Sequence, residues 1–120
     1  MDVDGVLTDG KLMLLPDFSY ARNMNIKDGF AIQLAVKKGY KVVVISGAVH
    51  DEAVKTRMNK LGVIDVFMGI TDKSTLLTKL MSDYSLNKEQ VLFIGDDVPD
   101  IGALQTAGLS CCPTDAAQDV

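Results

Sequence analysis

The sequence predicts an α/β fold in three layers, with a parallel β-sheet between two layers of helices. Short apolar runs of strand length, such as residues 41–45 and 91–94, alternate with longer segments of helical periodicity. Those helical segments open on an Asp and stop at a Gly, as Asp28 and Gly39 or Asp100 and Gly108 illustrate. The chemically distinctive residues fall just after the strand-like runs, where parallel strands bring their carboxyl ends to one crevice.

Each element follows in order. Asp2 follows only Met1, where a buried strand is expected, so most of that first strand is expected to belong to a longer parent chain. Residues 10–25 are too short for a helical crossover and hold Pro16-Asp17 between two apolar stretches, 12–15 and 18–24. That pattern predicts a β-hairpin projecting from the sheet edge. Its Leu, Met, Phe and Tyr residues would be a liability in a monomer and predict a subunit contact. Asp28 reads as the N-cap of a helix with Ile32, Ala35 and Val36 on its inner face, stopped by Gly39. Residues 41–45 form a buried strand. A second helix, with His50 at a surface or capping position near its start, turns Ala53, Val54, Met58 and Leu61 inward and ends at Gly62. A weaker strand spans 63–68. Asp72 caps a third helix that buries Leu76, Leu77 and Leu80. A strand at 91–94, a short helix over 100–107 and a last strand at 109–112 complete the pattern. The polar stretch after Cys112 predicts a missing C-terminal segment, so 1–120 reads as a single domain trimmed at both ends.

Composition excludes several functions. A chain of 120 residues supports one core, and 48% hydrophobic residues suffice for it. No apolar run approaches the roughly 20 residues that span a bilayer, so no membrane partner is expected. No signal peptide is visible. A net charge of −4 gives no footprint for nucleic acid and would repel a phosphate unless a bound cation reversed the field. Cys111 and Cys112 would point to opposite faces of a strand, which suits neither a metal site nor a disulfide. They read as small core residues of a reduced, cytoplasmic protein.

The chemistry lies in four segments: Asp2-Val3-Asp4-Gly5, Ser46-Gly47, Lys73, and Gly95-Asp96-Asp97 with Asp100 close behind. A carboxylate such as Asp2 can attack phosphorus and divide a difficult hydrolysis into two easier steps. Further carboxylates repel one another unless a dication sits among them, and oxygen ligands of this kind suit Mg²⁺. Lys73 supplies a fixed positive charge, while Ser46 and nearby backbone amides supply donors. Asp4, two residues beyond Asp2, can protonate the leaving oxygen and then deprotonate water. Each segment alone is commonplace, a solvated turn or a surface lysine. Their order, each at a strand end, makes the phosphatase reading the strong one.

These segments resemble the four signatures of the haloacid dehalogenase superfamily, which appear in order as Asp2-Val3-Asp4-Gly5-Val6, Ser46, Lys73 and Gly95-Asp96-Asp97-Val98-Pro99-Asp100. The resemblance implies a Rossmann-like three-layer fold, Asp2 as nucleophile and Asp4 as general acid and base. It implies Ser46, Gly47 and Lys73 on the phosphoryl oxygens. Asp2, the Asp4 carbonyl and Asp96 would bind Mg²⁺, with Asp97 and Asp100 in support. The Asp at the plus-two position is absent from dehalogenases and replaced by threonine in transport ATPases. Cap domains of this superfamily are inserted after the first or third signature, and neither interval here has room for one.

Among capless members the sequence resembles the 3-deoxy-D-manno-octulosonate 8-phosphate phosphatases, through residues 2–10, the hairpin, and Asn25-Ile26-Lys27-Asp28-Gly29-Phe30. That implies a sugar-acid phosphate as substrate and a homotetramer in which the 10–25 hairpin of one subunit closes the next subunit's site. Thr8, Lys27 and Arg57 are the candidate substrate contacts. Close relatives act on 9-phosphates of sialic-type acids, which remains an alternative, since Ala48 stands where relatives carry Arg or Glu. Two readings come from other classes. A receiver domain places its acidic pair first and its Lys last, whereas here Gly95-Asp96-Asp97 follows Lys73. A non-catalytic phosphatase-like module would not need the intact set of Asp2, Asp4, Lys73 and Asp96.

Overall fold

The computed structural model describes residues 1–49 and 51–120, so the expectation for His50 lies outside the described residues. A hairpin of β1 (Met13–Leu14) and β2 (Tyr20–Ala21) precedes α1 (Ile26–Lys37), β3 (Val43–Ile45), α2 (Glu52–Lys60) and β4 (Asp65–Phe67). Then come α3 (Lys73–Asp83), β5 (Leu92–Ile94), α4 (Ile101–Thr106) and β6 (Leu109–Cys111). Single 3₁₀ turns occupy Lys88–Gln90 and Val98–Asp100.

Two parallel pairs form the sheet, β3 with β4 and β5 with β6. The first residues of the chain join them. Met1 N donates to the Val43 carbonyl at 3.0 Å, and Ile45 N donates to the Met1 carbonyl at 2.9 Å. On the other side Asp2 N donates to the Ile94 carbonyl at 3.0 Å. The order across the sheet is therefore β4, β3, residues 1–2, β5, β6. The chain runs outward through β3 and β4, then crosses back to β5, which puts a topological switch point beside Asp2.

Alternation along the strands feeds two cores. Val44 packs with Val3, Ile32, Val54, Met58 and Val63, under α1 and α2. Its neighbour Ile45 faces the other way, joining Leu77, Leu80, Phe93, Ala103 and Leu104 under α3 and α4. The three-layer expectation holds. The intervals from Asp4 to Ser46 and from Lys73 to Asp96 carry the hairpin with α1, and α3 with β5, respectively.

Several local expectations are corrected. Helix α1 is capped by Asn25, whose side chain accepts from Lys27 N at 2.9 Å, and not by Asp28. Asn25 has the extended backbone that an N-cap needs, so the helix starts earlier and Asp28 complements the dipole from its first turn. Asp72 caps α3 as expected, accepting from Thr75 N at 3.0 Å. Ala53 is exposed, because Val54, Met58 and Leu61 already set the buried face of α2 and Ala53 lies about 100° from it. Cys112 is exposed and Cys111 only half-buried, both as free thiols. They lie at the end of β6, which pairs with β5 alone and so receives cover from one side.

The hairpin forms as expected, with Met13 opposite Ala21 and Leu14 opposite Tyr20. An isolated antiparallel bridge between Thr8 and Met24 closes its base. No helix of the described residues is long and apolar enough to cross a membrane.

Candidate active site

The cleft at the carboxyl ends of the strands is lined by Asp2, Asp4, Ser46, Lys73, Asp96 and Asp100, with Gly47 and Asp97 at its margin. The segment after Asp2 turns sharply. The Val3 carbonyl accepts from the amides of Leu7 and Thr8 at 2.8 and 3.1 Å, and Gly5 takes a positive φ of 79°. A Cβ at Gly5 would overlap the Asp96 carboxylate, so only glycine permits both the turn and the approach. Thr8 Oγ1 accepts from Gly5 N and Gly10 N, each at 3.2 Å. Thr8 thereby holds the loop together and does not line the cleft.

Ser46 follows β3 directly and is 1% exposed. Its amide donates to the Phe67 carbonyl at 2.9 Å, and its Oγ accepts from Ala48 N at 3.2 Å. That leaves the hydroxyl proton for an incoming oxygen. Lys73 opens α3 directly behind the Asp72 cap and is 3% exposed. Its Nζ lies 2.8 Å from Asp2 Oδ2 and 2.6 Å from Asp100 Oδ1. Burial pulls the Lys73 pKa down, but the bonds and charges of Asp100 and Asp2 outweigh it and hold the ammonium above its ordinary value.

Asp100 is fully buried, and its Oδ2 accepts from Asp96 N at 3.1 Å. It therefore organises the loop after β5 while anchoring Lys73. Gly95 is needed beside it, since a Cβ there would meet the Asp100 side chain. Asp96 is the most perturbed carboxyl. Burial, then the charges of Asp2, Asp100 and Asp97, push its pKa up to about 6. Its Oδ1 is buried without a hydrogen-bond partner.

Carboxylate oxygens of Asp2, Asp96 and Asp100 lie within 4.8 Å of one another. A buried, unpartnered carboxylate oxygen among like charges is stabilised by a small oxygen-preferring dication, so this donor set fits Mg²⁺. Asp100, expected only in support, belongs to the cluster itself.

Two expected substrate residues lie elsewhere in the chain. Lys27 is exposed in the first turn of α1. Arg57 packs across α1 at Gly29, where a Cβ would meet its Nη2 at 2.6 Å. The sequence reading missed Arg22. It forks onto Asp4, Nε to Oδ1 at 2.7 Å and Nη2 to Oδ2 at 3.0 Å, and reaches Asp51 Oδ2 through Nη1 at 2.6 Å. A single basic residue at the end of a hairpin strand carries no signal of such a contact, because its partners stand 18 and 29 residues away.

A doubly wound α/β sheet thus carries a carboxylate cluster, a buried lysine and a serine at its switch point. The haloacid dehalogenase-like hydrolase family matches over residues 48–120, and the chain belongs to it. More particularly, it is 29% identical over 116 residues to the 3-deoxy-D-manno-octulosonate 8-phosphate phosphatase of Salmonella typhi, covering 97% of this chain and 61% of that protein. The structure of the Moraxella catarrhalis 3-deoxy-D-manno-octulosonate 8-phosphate phosphatase, in complex with magnesium, phosphate and 3-deoxy-D-manno-octulosonate (KDO), superposes with a TM-score of 0.93 at 28% identity. That superposition covers 98% of this chain and 67% of that one. A probable phosphatase from Pseudomonas syringae superposes with a TM-score of 0.94 at 37% identity, covering 98% of this chain and 66% of its own. The chain thus spans about 61% of the length of the curated relatives it matches first.

Proposed function

We propose that this protein is a Mg²⁺-dependent phosphatase of sugar-acid phosphate monoesters, acting on 3-deoxy-D-manno-octulosonate 8-phosphate through an aspartyl-phosphate intermediate. The observation that carries the reading is Lys73 bridging Asp2 and Asp100 beside an Asp96 oxygen that has no partner. Asp2, the Asp4 carbonyl and Asp96 would hold the metal, with Asp100 beside them. When bound, the cation neutralises charge on the transferring phosphoryl group and relieves the repulsion among the carboxylates.

The residues of the chain divide the reaction between them. Lys73 orients Asp2 through its 2.8 Å ion pair. An Asp2 oxygen forms a bond to phosphorus as the bond from phosphorus to the sugar oxygen breaks, and Asp4 gives that oxygen a proton. Ser46 Oγ–H, the amide of Gly47 and Lys73 steady the equatorial oxygens. Water then attacks phosphorus, Asp4 takes its proton, and inorganic phosphate departs from a regenerated Asp2 carboxylate.

Among the described residues no cap covers this cleft, which supports assembly as a homotetramer with rotational symmetry. Phe18 at the hairpin tip is 98% exposed, Met13 and Leu14 of the same hairpin are exposed, and so are Ile26 and Phe30 of α1. Lys27, Arg57 and Thr8 would meet a substrate only if association carries them to a neighbour's cleft. Phosphate release from 3-deoxy-D-manno-octulosonate 8-phosphate, with and without Mg²⁺, tests the proposal. Wild type should turn over only with the metal, and Asp2→Asn should lose essentially all turnover while keeping its fold by circular dichroism. Near-wild-type hydrolysis by Asp2→Asn, with deamidation excluded by mass spectrometry, would falsify the assignment of the nucleophile.

A further inference from the structure

Arg22 is the buried end of an otherwise exposed hairpin. Its side chain is 5% exposed, while Leu14 and Phe18 of the same hairpin stand in solvent. The guanidinium spends its planar fork on both oxygens of Asp4, at 2.7 and 3.0 Å, a geometry that fixes the orientation of a carboxylate as well as its distance. Its third contact, 2.6 Å to Asp51 Oδ2, ties it to the residue that caps α2. The Tyr20 ring lies 4.8 Å from its Cζ and closes the remaining side. Asp4 is partly open to the cleft and accepts bonds on both oxygens, so the carboxyl stands where Arg22 puts it.

We propose that Arg22 is a positioning residue: it sets the orientation of Asp4 toward the leaving oxygen and makes that orientation depend on the seating of the hairpin. The inference rests on the reading of Asp4 as proton donor to the leaving group. Asp4 cannot shift without either breaking the fork or carrying β2 with it. Asp51 serves as the outer anchor, since it holds Arg22 with one oxygen and the amides of Ala53 and Val54 with the other. A hairpin packed against another subunit would hold the fork firmly, and a loose hairpin would let Asp4 turn.

The test uses two esters that differ in their need for a proton. p-Nitrophenolate leaves unaided, whereas the alkoxide of ribose 5-phosphate must be protonated as it departs. Arg22→Gln in the full chain should lower kcat for ribose 5-phosphate by about 10²-fold, the size of effect expected when a reacting group is misplaced by an ångström. It should lose far less with p-nitrophenyl phosphate, and KM should change little for either ester. Arg22→Lys, which keeps the charge but not the fork, should recover part of the loss. Asp51→Asn keeps a good helix cap and removes one anchor, so it should show a smaller loss of the same selectivity. Equal losses on both esters in Arg22→Gln and Asp51→Asn would mean a merely structural role and would overturn the inference, as would faster cleavage of ribose 5-phosphate. Wild-type protein inert toward both esters would overturn the phosphatase reading itself, and the inference with it.

Discussion

At the scale of single residues, Asp96 has the most to reveal. Its carboxyl is held near pKa 6 by burial and by Asp2, Asp100 and Asp97, well above its ordinary 3.8. Without metal, the folded state keeps a proton between about pH 4 and 6 that the unfolded chain has released. Stability therefore falls as pH rises through that window, the reverse of the usual behaviour of a paired aspartate. Chelated protein should melt at a higher temperature at pH 5 than at pH 7, and Asp96→Asn should flatten the difference. Protons and metal compete for the same carboxyl, so Mg²⁺ affinity measured by calorimetry should weaken below about pH 6. Gly5→Ala tests the close approach to Asp96. It adds strain at a positive φ of 79° and a clash with that carboxylate, and it should abolish Mg²⁺-dependent turnover. The convergence of Asp2, Asp4, Ser46, Lys73 and Asp96 on one cleft was legible in the sequence because each follows a strand in an open parallel sheet. Arg22 was not, because its role comes from two carboxylates that only the fold brings to it. Cys111 and Cys112 misled for a related reason: composition speaks of burial, but a strand with one neighbour leaves its end uncovered.

At the scale of elements, helix starts were legible only to within a turn. Asn25 and Asp28 are both good cap residues, and the backbone chose the one already in extended conformation. The hairpin was readable from Pro16-Asp17 between apolar runs, yet its tip holds a surprise. Phe18 takes a positive φ of 66°, a conformation that asparagine adopts readily and phenylalanine rarely. Its retention costs about 1–2 kcal/mol of backbone strain, which contact with another subunit would offset. Phe18→Asn should therefore stabilise the isolated chain and weaken its association. Thermal melting at low concentration and light scattering across a dilution series should move in opposite directions. A tighter oligomer in the variant would count against the hairpin as the contact.

At the scale of the whole molecule, the sheet is two parallel pairs with residues 1–2 as the seam. Hydrogen bonds join those residues to Val43 and Ile45 on one side and to Ile94 on the other. The first core lies under α1 and α2 and the second under α3 and α4, and β3 feeds both, through Val44 and Ile45 respectively. The three-layer plan was legible from alternating periodicities, but the seam was not, since one or two residues carry no periodicity. The residue that seals the seam is also the proposed nucleophile, Asp2. Covalent modification of Asp2 thus loads the joint between the two strand pairs, and a phosphoryl group on its side chain draws Lys73, at the start of α3, and Ser46, just after β3, toward a common centre. Each turnover should tighten and then relax the molecule across its midline. Amide exchange at Asp2 and Ile45, which donate across the seam, should slow when beryllofluoride occupies Asp2 as a phosphoryl mimic, while amides on the outer strands keep their rates.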